Sequence, residues 1–214
     1  MRARRLATPP RRPRARRGEG ELLRGQILAA AERLLMETAD EEAVSIRAVA
    51  DAVGVTPPAI YLHFADKREL ILEVCAASFA ELDRVSEEAA ARSSDPVESL
   101  RLRGRAYVQF GIDHPEQYRV LFMRRPAATP DVFDDERVRT AACFDHLVDA
   151  VRACIAAGAL PKGADPFVVA VELWALVHGI TSLLISKPDF RWPARDALVD
   201  DLLDACVRGL ATGT

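Results

Sequence analysis

Apolar residues recur along this chain at three- and four-residue intervals, and nowhere in the strict alternation of a strand. Leu23, Ile27, Ala30, Leu34 and Leu35 share one face of a helix expected over 20–37, followed by a short acidic loop from Ala39 to Glu42. Ser45 is a good N-cap for a second helix over 45–53, whose inner face is Ile46, Val49, Ala50 and Val53. Gly54 supplies the freedom for a tight turn. Thr56 is the next N-cap, and Pro57 fits the first helical position, so a short third helix is expected over 57–63. Asp66 with Glu69 three residues on forms a capping box for a long helix over 66–92, through Leu70, Ile71, Val74, Phe79 and Leu82. A second box, Asp95-Pro96 with Glu98, opens a helix to about 112, and His114-Pro115 opens a short one ending near Met123. A two-proline loop over 124–130 precedes a helix over 131–157 that stops at Gly158. Asp165-Pro166 starts a helix over 166–186, and a ninth begins near Pro193 and runs to about 210. The fold class is all-α, with no internal repeat.

At 214 residues the chain makes one large domain or two small ones, with enough length for a substantial core. The formal net charge of −3 hides an asymmetry. Residues 1–18 hold eight arginines and no acid, so the remainder carries −11. This Arg, Pro and Gly segment lacks apolar periodicity and reads as a disordered basic arm for nucleic acid or another polyanion. No apolar stretch follows it, so it is not a signal peptide. Cys75, Cys143, Cys154 and Cys206 form no CxxC pair and read as reduced, buried thiols of a cytoplasmic protein, with a spacing that disfavours zinc. Phe167 to Ile185 is long and apolar enough to span a membrane. Glu172 and the His178-Gly179 pair inside it favour a buried helix of a non-membrane protein.

The helices over 45–53 and 57–63, joined by a glycine turn, have the form of a helix-turn-helix. Val55 and Ile60 point inward and Phe64 closes the end, leaving Thr56, Ala59, Tyr61 and His63 to face out. An exposed Tyr and His on a short, proline-started helix suit a surface that enters a DNA groove. The run Ile27-Leu28-Ala29-Ala30-Ala31, then Ser45-Ile46-Arg47-Ala48-Val49-Ala50, Gly54-Val55, Ile60-Tyr61-Leu62-His63-Phe64 and Asp66-Lys67 resembles the TetR family of bacterial repressors over about residues 20–75. His114-Pro115-Glu116-Gln117-Tyr118 and Trp174-Ala175-Leu176-Val177-His178-Gly179 resemble a subset of that family.

The resemblance implies a three-helix DNA-binding domain at 19–66, after the arm at 1–18. It implies a ligand-binding and dimerisation domain at 67–214, dimerising through its last two long helices and enclosing a small-molecule pocket. Arg47, Thr56, Tyr61, His63 and Lys67 match residues that contact phosphates in relatives, and positions 57 and 59 match base-reading sites. Physical chemistry supports these roles separately. Lys67 and the free N–H groups of the helix it opens attract a phosphate, and the Tyr61 hydroxyl and His63 imidazole can donate to one. Arg47 can also reach guanine. Pro57 and Ala59 depart from the pattern, because neither side chain can hydrogen-bond a base edge, although Ala59 can touch a thymine methyl. Direct readout is therefore poor, and DNA shape, Arg47 or the arm must contribute more. Residues 19–75 carry five Lys/Arg against eleven Asp/Glu, so the folded domain itself repels DNA unless the arm helps.

The function expected is a homodimeric transcriptional repressor that binds a palindromic double-stranded operator and is released by a small apolar or amphipathic effector. Apolar character nearly all round Phe167–Ile185, with Leu198, Leu202, Cys206 and Leu210 at helical spacing, supports a four-helix dimer interface independently of the resemblance. Candidate pocket residues are Tyr107, Phe110, Phe122, Phe144, Leu147, Trp174 and His178, set against simple core packing for these aromatics. His114 reads as a helix cap, and His146 as core, solvent-facing or pocket. No nucleophile elbow, HExxH, phosphate loop or paired-carboxylate signature is present, so no enzyme, cofactor or metal is expected. An activator of the same fold and a helical interaction module that does not bind DNA remain as alternatives.

Overall fold

The computed structural model describes residues 19–38, 44–123 and 143–212. These form α1 (Glu19–Thr38), α2 (Ile46–Val53), α3 (Pro57–Ile60), α4 (Lys67–Ala90), α5 (Pro96–Asp113) and α6 (Pro115–Tyr118), which runs on into a π-helical turn at Arg119–Met123. After them come α7 (Cys143–Ala156), α8 (Pro166–Ser186) and α9 (Arg195–Thr212), with no strand among the described residues. The expected basic arm, the acidic loop over 39–42, the loop over 124–130 and the expected start of the seventh helix at 131 lie outside the described residues.

The local chemistry sets most helix starts. Ser45 Oγ accepts from the Ala48 N–H at 3.1 Å, and the Asp66 carboxylate accepts from the Glu69 N–H at 2.8 Å while Glu69 reaches back to the Ala65 N–H. Each such cap contributes about 1 kcal/mol. Asp95 and Asp165 cap Val97 and Phe167, each ahead of a proline. Two expectations fail for local reasons. Glu98 does not complete a capping box; it pairs with Arg101 one turn on, at 2.9 Å. Thr56 takes the N-cap backbone conformation, but its hydroxyl makes no cap bond. Pro57 and Pro58 offer no N–H, and the Ala59 N–H is already taken by the Thr56 carbonyl at 2.8 Å. The third helix is also shorter than expected, ending at Ile60, with Phe64 N–H bonded back to the Ile60 carbonyl at 3.0 Å.

Three apolar cores result. The first joins α1–α3 to the first half of α4 through Ile27, Leu35, Val49, Ile60, Phe64, Leu70, Val74 and Phe79, and it also contains Leu121 from the π turn. The second contains Leu82 of α4 with Tyr107, Tyr118, Val177 and Leu203 from α5, α6, α8 and α9. The third sits between α5, α7 and α8. The start of α4 at 67 is therefore not a break in packing, because α4 serves the first two cores. Gly111 permits the closest approach of α5 to its neighbours. A Cβ there would lie 2.3 Å from Thr181 Cγ2 and 3.0 Å from the Tyr118 ring.

One helix is only half covered. α8 buries Val169, Leu173, Val177, Ile180 and Leu184 against the bundle, yet Phe167 is 58% exposed, and Val168, Val171 and Leu183 are exposed too. A helix apolar on every side normally has cover on every side.

Candidate nucleic-acid interface and effector cavity

At one end of the molecule, α2 and α3 are held by their inward faces. Ile60 and Phe64 are fully buried, and Val55 is half-buried in the same core. Gly54 closes α2 with φ +75°, its N–H bonding the carbonyls of Ala50 and Asp51. This fixes the opposite face for solvent. Arg47 and Thr56 are exposed, and Tyr61 is 54% exposed. Pro57, Ala59 and Lys67 are half-exposed, with Lys67 the first residue of α4, beside that helix's free N–H groups. His63 is less open than expected, half-buried with its ring facing Gly20 of α1. Sequence reasoning missed Arg24 and Leu62. The Arg24 guanidinium sits 4.9 Å over the Phe64 ring and pairs with Glu73 at 3.0 Å, tying α1 to the end of the helix-turn-helix and to α4. Leu62 is the most exposed large apolar side chain at this end.

A cavity of about 730 Å³ lies among α4, α5, α7, α8 and α9. That is within the range of small-molecule sites. Tyr107, Phe122, Phe144, Leu147 and Trp174 line it, joined by Phe79, Leu82, Phe167, Val171 and Leu203. Phe110 and His178, also expected in the wall, are not there. Phe110 is one turn beyond Tyr107, buried with its ring 5.0 Å from His114. His178 lies behind Phe122, ring centroids 5.3 Å apart, and stacks on Tyr118.

His178 instead ends a chain of hydrogen bonds. Trp174 Nε1–H donates to the Tyr107 hydroxyl at 3.3 Å, Tyr107 meets the Tyr118 hydroxyl at 3.2 Å, and Tyr118 meets His178 Nδ1 at 2.6 Å. Burial pushes both phenols up and the imidazole down, so all three are neutral near pH 7. A neutral imidazole accepting at Nδ1 carries its proton on Nε2, which faces Ser182 Oγ at 3.4 Å. The bonds thus run in one direction, from Trp174 of α8 through Tyr107 of α5 and Tyr118 of α6 and back to His178 of α8.

A second polar cluster also reaches the cavity wall. Arg103, only 9% exposed, bonds Glu87 from within the wall. His146 Nδ1 is 2.9 Å from Asp83 and 3.6 Å from Glu87, and Asp83 holds the imidazole above its ordinary pKa. The Cys143 thiol in the same wall is pushed up to about 12 by burial, so it stays protonated. None of Arg103, Glu87 or Asp83 was singled out from sequence. The signal for Arg103 is its place in the stripe Leu100, Arg103, Tyr107, Phe110, where helical spacing calls for an apolar residue.

The segment 115–123 connects this cavity to the helix-turn-helix. Phe122 lines the cavity and packs edge-on against Phe79 at 5.5 Å. Its neighbour Leu121 is buried in the first core. Gln117 donates to Ser78 of α4 at 2.9 Å and to Glu32 of α1 at 3.3 Å.

Comparison with known proteins gives a consistent result. A family model described as bacterial regulatory proteins, tetR family, matches residues 27–74, and one described as tetracyclin repressor-like, C-terminal domain, matches 100–210. The HTH-type transcriptional activator FasR of Mycolicibacterium smegmatis is 32% identical over 129 residues, covering 60% of this chain and 58% of that protein. The chain thus spans less than two thirds of the length of that curated relative. A protein of unknown function from Rhodococcus sp. RHA1 superposes with a TM-score of 0.74 at 28% identity, over 89% of this chain and 96% of that one. The transcriptional regulator FadR from Bacillus subtilis, solved in complex with stearoyl-CoA, superposes with a TM-score of 0.68 at 15% identity, over 89% and 98%, a likeness of fold.

Proposed function

The chain belongs to the TetR family of bacterial transcriptional regulators, and from that premise we propose that it is a cytoplasmic, homodimeric repressor released from a palindromic operator by an amphipathic small molecule. The observation that carries the effector reading is the segment 115–123, which puts Phe122 in the cavity wall and its neighbour in the chain, Leu121, in the DNA-binding core. An occupant that displaces Phe122 cannot leave Leu121, Ser78 and Glu32 undisturbed. Movement of α4 then changes the separation of the two recognition surfaces, which must sit about 34–36 Å apart to enter successive major grooves. The predominantly apolar lining, and the stearoyl-CoA described with FadR, support an effector with a long apolar portion.

The bare face of α8 supports dimerisation. Phe167, Val168, Val171 and Leu183, with the half-exposed Leu198, Leu202 and Leu210 of α9, make an apolar surface that a second copy would cover about a two-fold axis. DNA contact falls to Arg47, Thr56, Tyr61, His63 and Lys67 for phosphates and to Pro57 and Ala59 against the base edges.

The test is a gel shift with the DNA flanking the protein's own gene, with and without straight-chain amphiphiles, alongside light scattering. A retarded complex of dimer that dissolves on adding the amphiphile is expected. A monomer at micromolar concentration, or no retarded complex, would refute the reading. Activation is the second reading, favoured by the description of FasR as an activator. A reporter placed behind the same DNA separates the two by the sign of its response.

A further inference from the structure

Resting on the reading of the cavity as the effector site, we propose that its occupant is a single-headed amphiphile bearing a carboxylate, which Arg103 grips while Glu87 swings from Arg103 to His146. Arginine is almost never buried unless it is paired, and an apolar residue at 103 would complete the α5 stripe. An effector with a neutral head gives no reason for a guanidinium there. Arg103 is also not saturated. A guanidinium offers five N–H groups in a planar fork suited to carboxylates, and here Nε is buried with no hydrogen-bond partner among the described residues.

Glu87 is placed to give way. Its side chain is 41% exposed, and its Oε1 is already 3.6 Å from His146 Nδ1. His146 is kept above its ordinary pKa by Asp83, so an imidazolium there can offset the charge of Glu87 once Arg103 is taken. Asp83, Glu87 and His146 converge closely enough to suggest a metal site. The Arg103 guanidinium bonded to Glu87 supplies the positive charge at that point and disfavours a second cation.

The rest of the wall limits the head to one. The Tyr107 hydroxyl and Trp174 N–H are committed to the chain that ends at His178. The Arg101 Nε also makes no hydrogen bond, but two carboxylates, Glu98 at 2.9 Å and Asp204 at 2.8 Å, already match its charge. Cys143 is a neutral thiol. Two other polar residues line the cavity: Ser86, whose hydroxyl donates to the Leu82 carbonyl at 2.7 Å, and Asp145, which is exposed; the rest of the lining is aromatic and aliphatic, which suits an unbranched tail.

The experiment is isothermal titration of the full-length protein with dodecanoate, methyl dodecanoate and dodecanol, each also added to the DNA complex. Dodecanoate should bind at least about tenfold tighter than either neutral probe, as befits a charge-assisted bond in a dry wall. Arg103→Met should abolish that preference while keeping affinity for dodecanol. Glu87→Gln should tighten dodecanoate binding several-fold, by removing the competing anion, and leave dodecanol unchanged. Equal binding of charged and neutral probes to the wild type would overturn the head-group assignment while leaving the effector reading intact. So would an undiminished preference for dodecanoate in Arg103→Met. If Arg103→Met does not fold, an unchanged dodecanoate affinity in Glu87→Gln is sufficient to overturn it. If no probe binds or alters the DNA complex, both readings fall together.

Discussion

The hydrogen-bonded chain from Trp174 to His178 makes a quantitative claim about Tyr118→Phe. The substitution preserves the ring, which is fully buried and stacked on His178, and deletes only the hydroxyl. Three interactions go with it: the 2.6 Å bond to His178 Nδ1, the 3.2 Å bond from Tyr107, and a weaker 3.3 Å contact to the His178 carbonyl. Tyr107 can then turn its hydroxyl to His178 Nδ1, 3.4 Å away, a longer bond than those lost, so both groups are only partly compensated. A buried polar group left without its partner costs about 1–3 kcal/mol, and two partly compensated groups together cost about 2 kcal/mol. In a chain of this size that lowers Tm by about 4–8 °C.

The second readout is coupling. Effectors of this kind change DNA affinity by about 5–150-fold. Tyr118 joins the cavity wall to α6, so Tyr118→Phe should leave DNA binding without effector nearly unchanged and reduce the ratio of affinities with and without effector several-fold. Fluorescence anisotropy with labelled operator DNA measures that ratio, and circular dichroism gives the melt. A variant that melts with the wild type and releases DNA with the wild-type ratio would refute the role assigned to the chain. A lowered melt with an unchanged ratio would leave the chain a purely structural device.

Other consequences are open to direct measurement. Gly111→Ala forces a Cβ to within 2.3 Å of Thr181 and 3.0 Å of Tyr118, and should destabilise the fold by about 1–3 kcal/mol in a denaturant titration. Lys67→Ala should weaken binding equally on all DNA sequences and reduce the salt slope by about one, whereas Arg47→Ala should also relax sequence preference; an unchanged slope for Lys67→Ala would contradict the phosphate assignment. Deleting residues 1–17 should lower DNA affinity and flatten its salt dependence while leaving dimerisation intact, and unchanged titrations would make the arm a bystander. His146 and His178 should act oppositely with pH. His146, raised above 6.5, contributes stability that is complete below pH 6.5 and lost as pH rises through its folded value, so His146→Gln should flatten the decline on the alkaline side. His178, lowered by burial, makes its contribution above pH 6.5, lost as pH falls toward its folded value, so His178→Gln should flatten the acid side.

What the sequence made legible was what neighbours along the chain determine. Ser45, Asp66, Asp95 and Asp165 cap helices because the N–H groups they accept from are two or three residues away. Gly54 turns the chain through its own φ. Inward residues such as Ile27, Val49 and Leu70 follow from helical period alone. The cavity was only half legible because its wall depends on what arrives from elsewhere. Trp174 and His178 share a face of α8 with their rings 5.8 Å apart, yet Tyr118 of α6 and Phe122 of the π turn pack on His178, so one lines the cavity and the other is hidden behind Phe122. No spacing rule on α8 can anticipate a side chain from 60 residues earlier. The same applies to Phe110, which shares a stripe with Tyr107 but passes beyond the end of the cavity. The polar cluster shows the limit from the other direction. Glu87, Arg103 and His146 sit on three helices and only their packing makes them one unit. One member was nonetheless detectable without the fold: an arginine in an apolar stripe breaks the helical pattern at that position. Natural sequences break local rules chiefly where function requires it. A violated pattern on an inward face is therefore a better guide to binding chemistry than the aromatic residues that satisfy it, because Tyr107 and Phe144 fit a core as well as a pocket, whereas Arg103 needs an anion beside it, and the half-exposed Glu87 leaves its Nε unmatched.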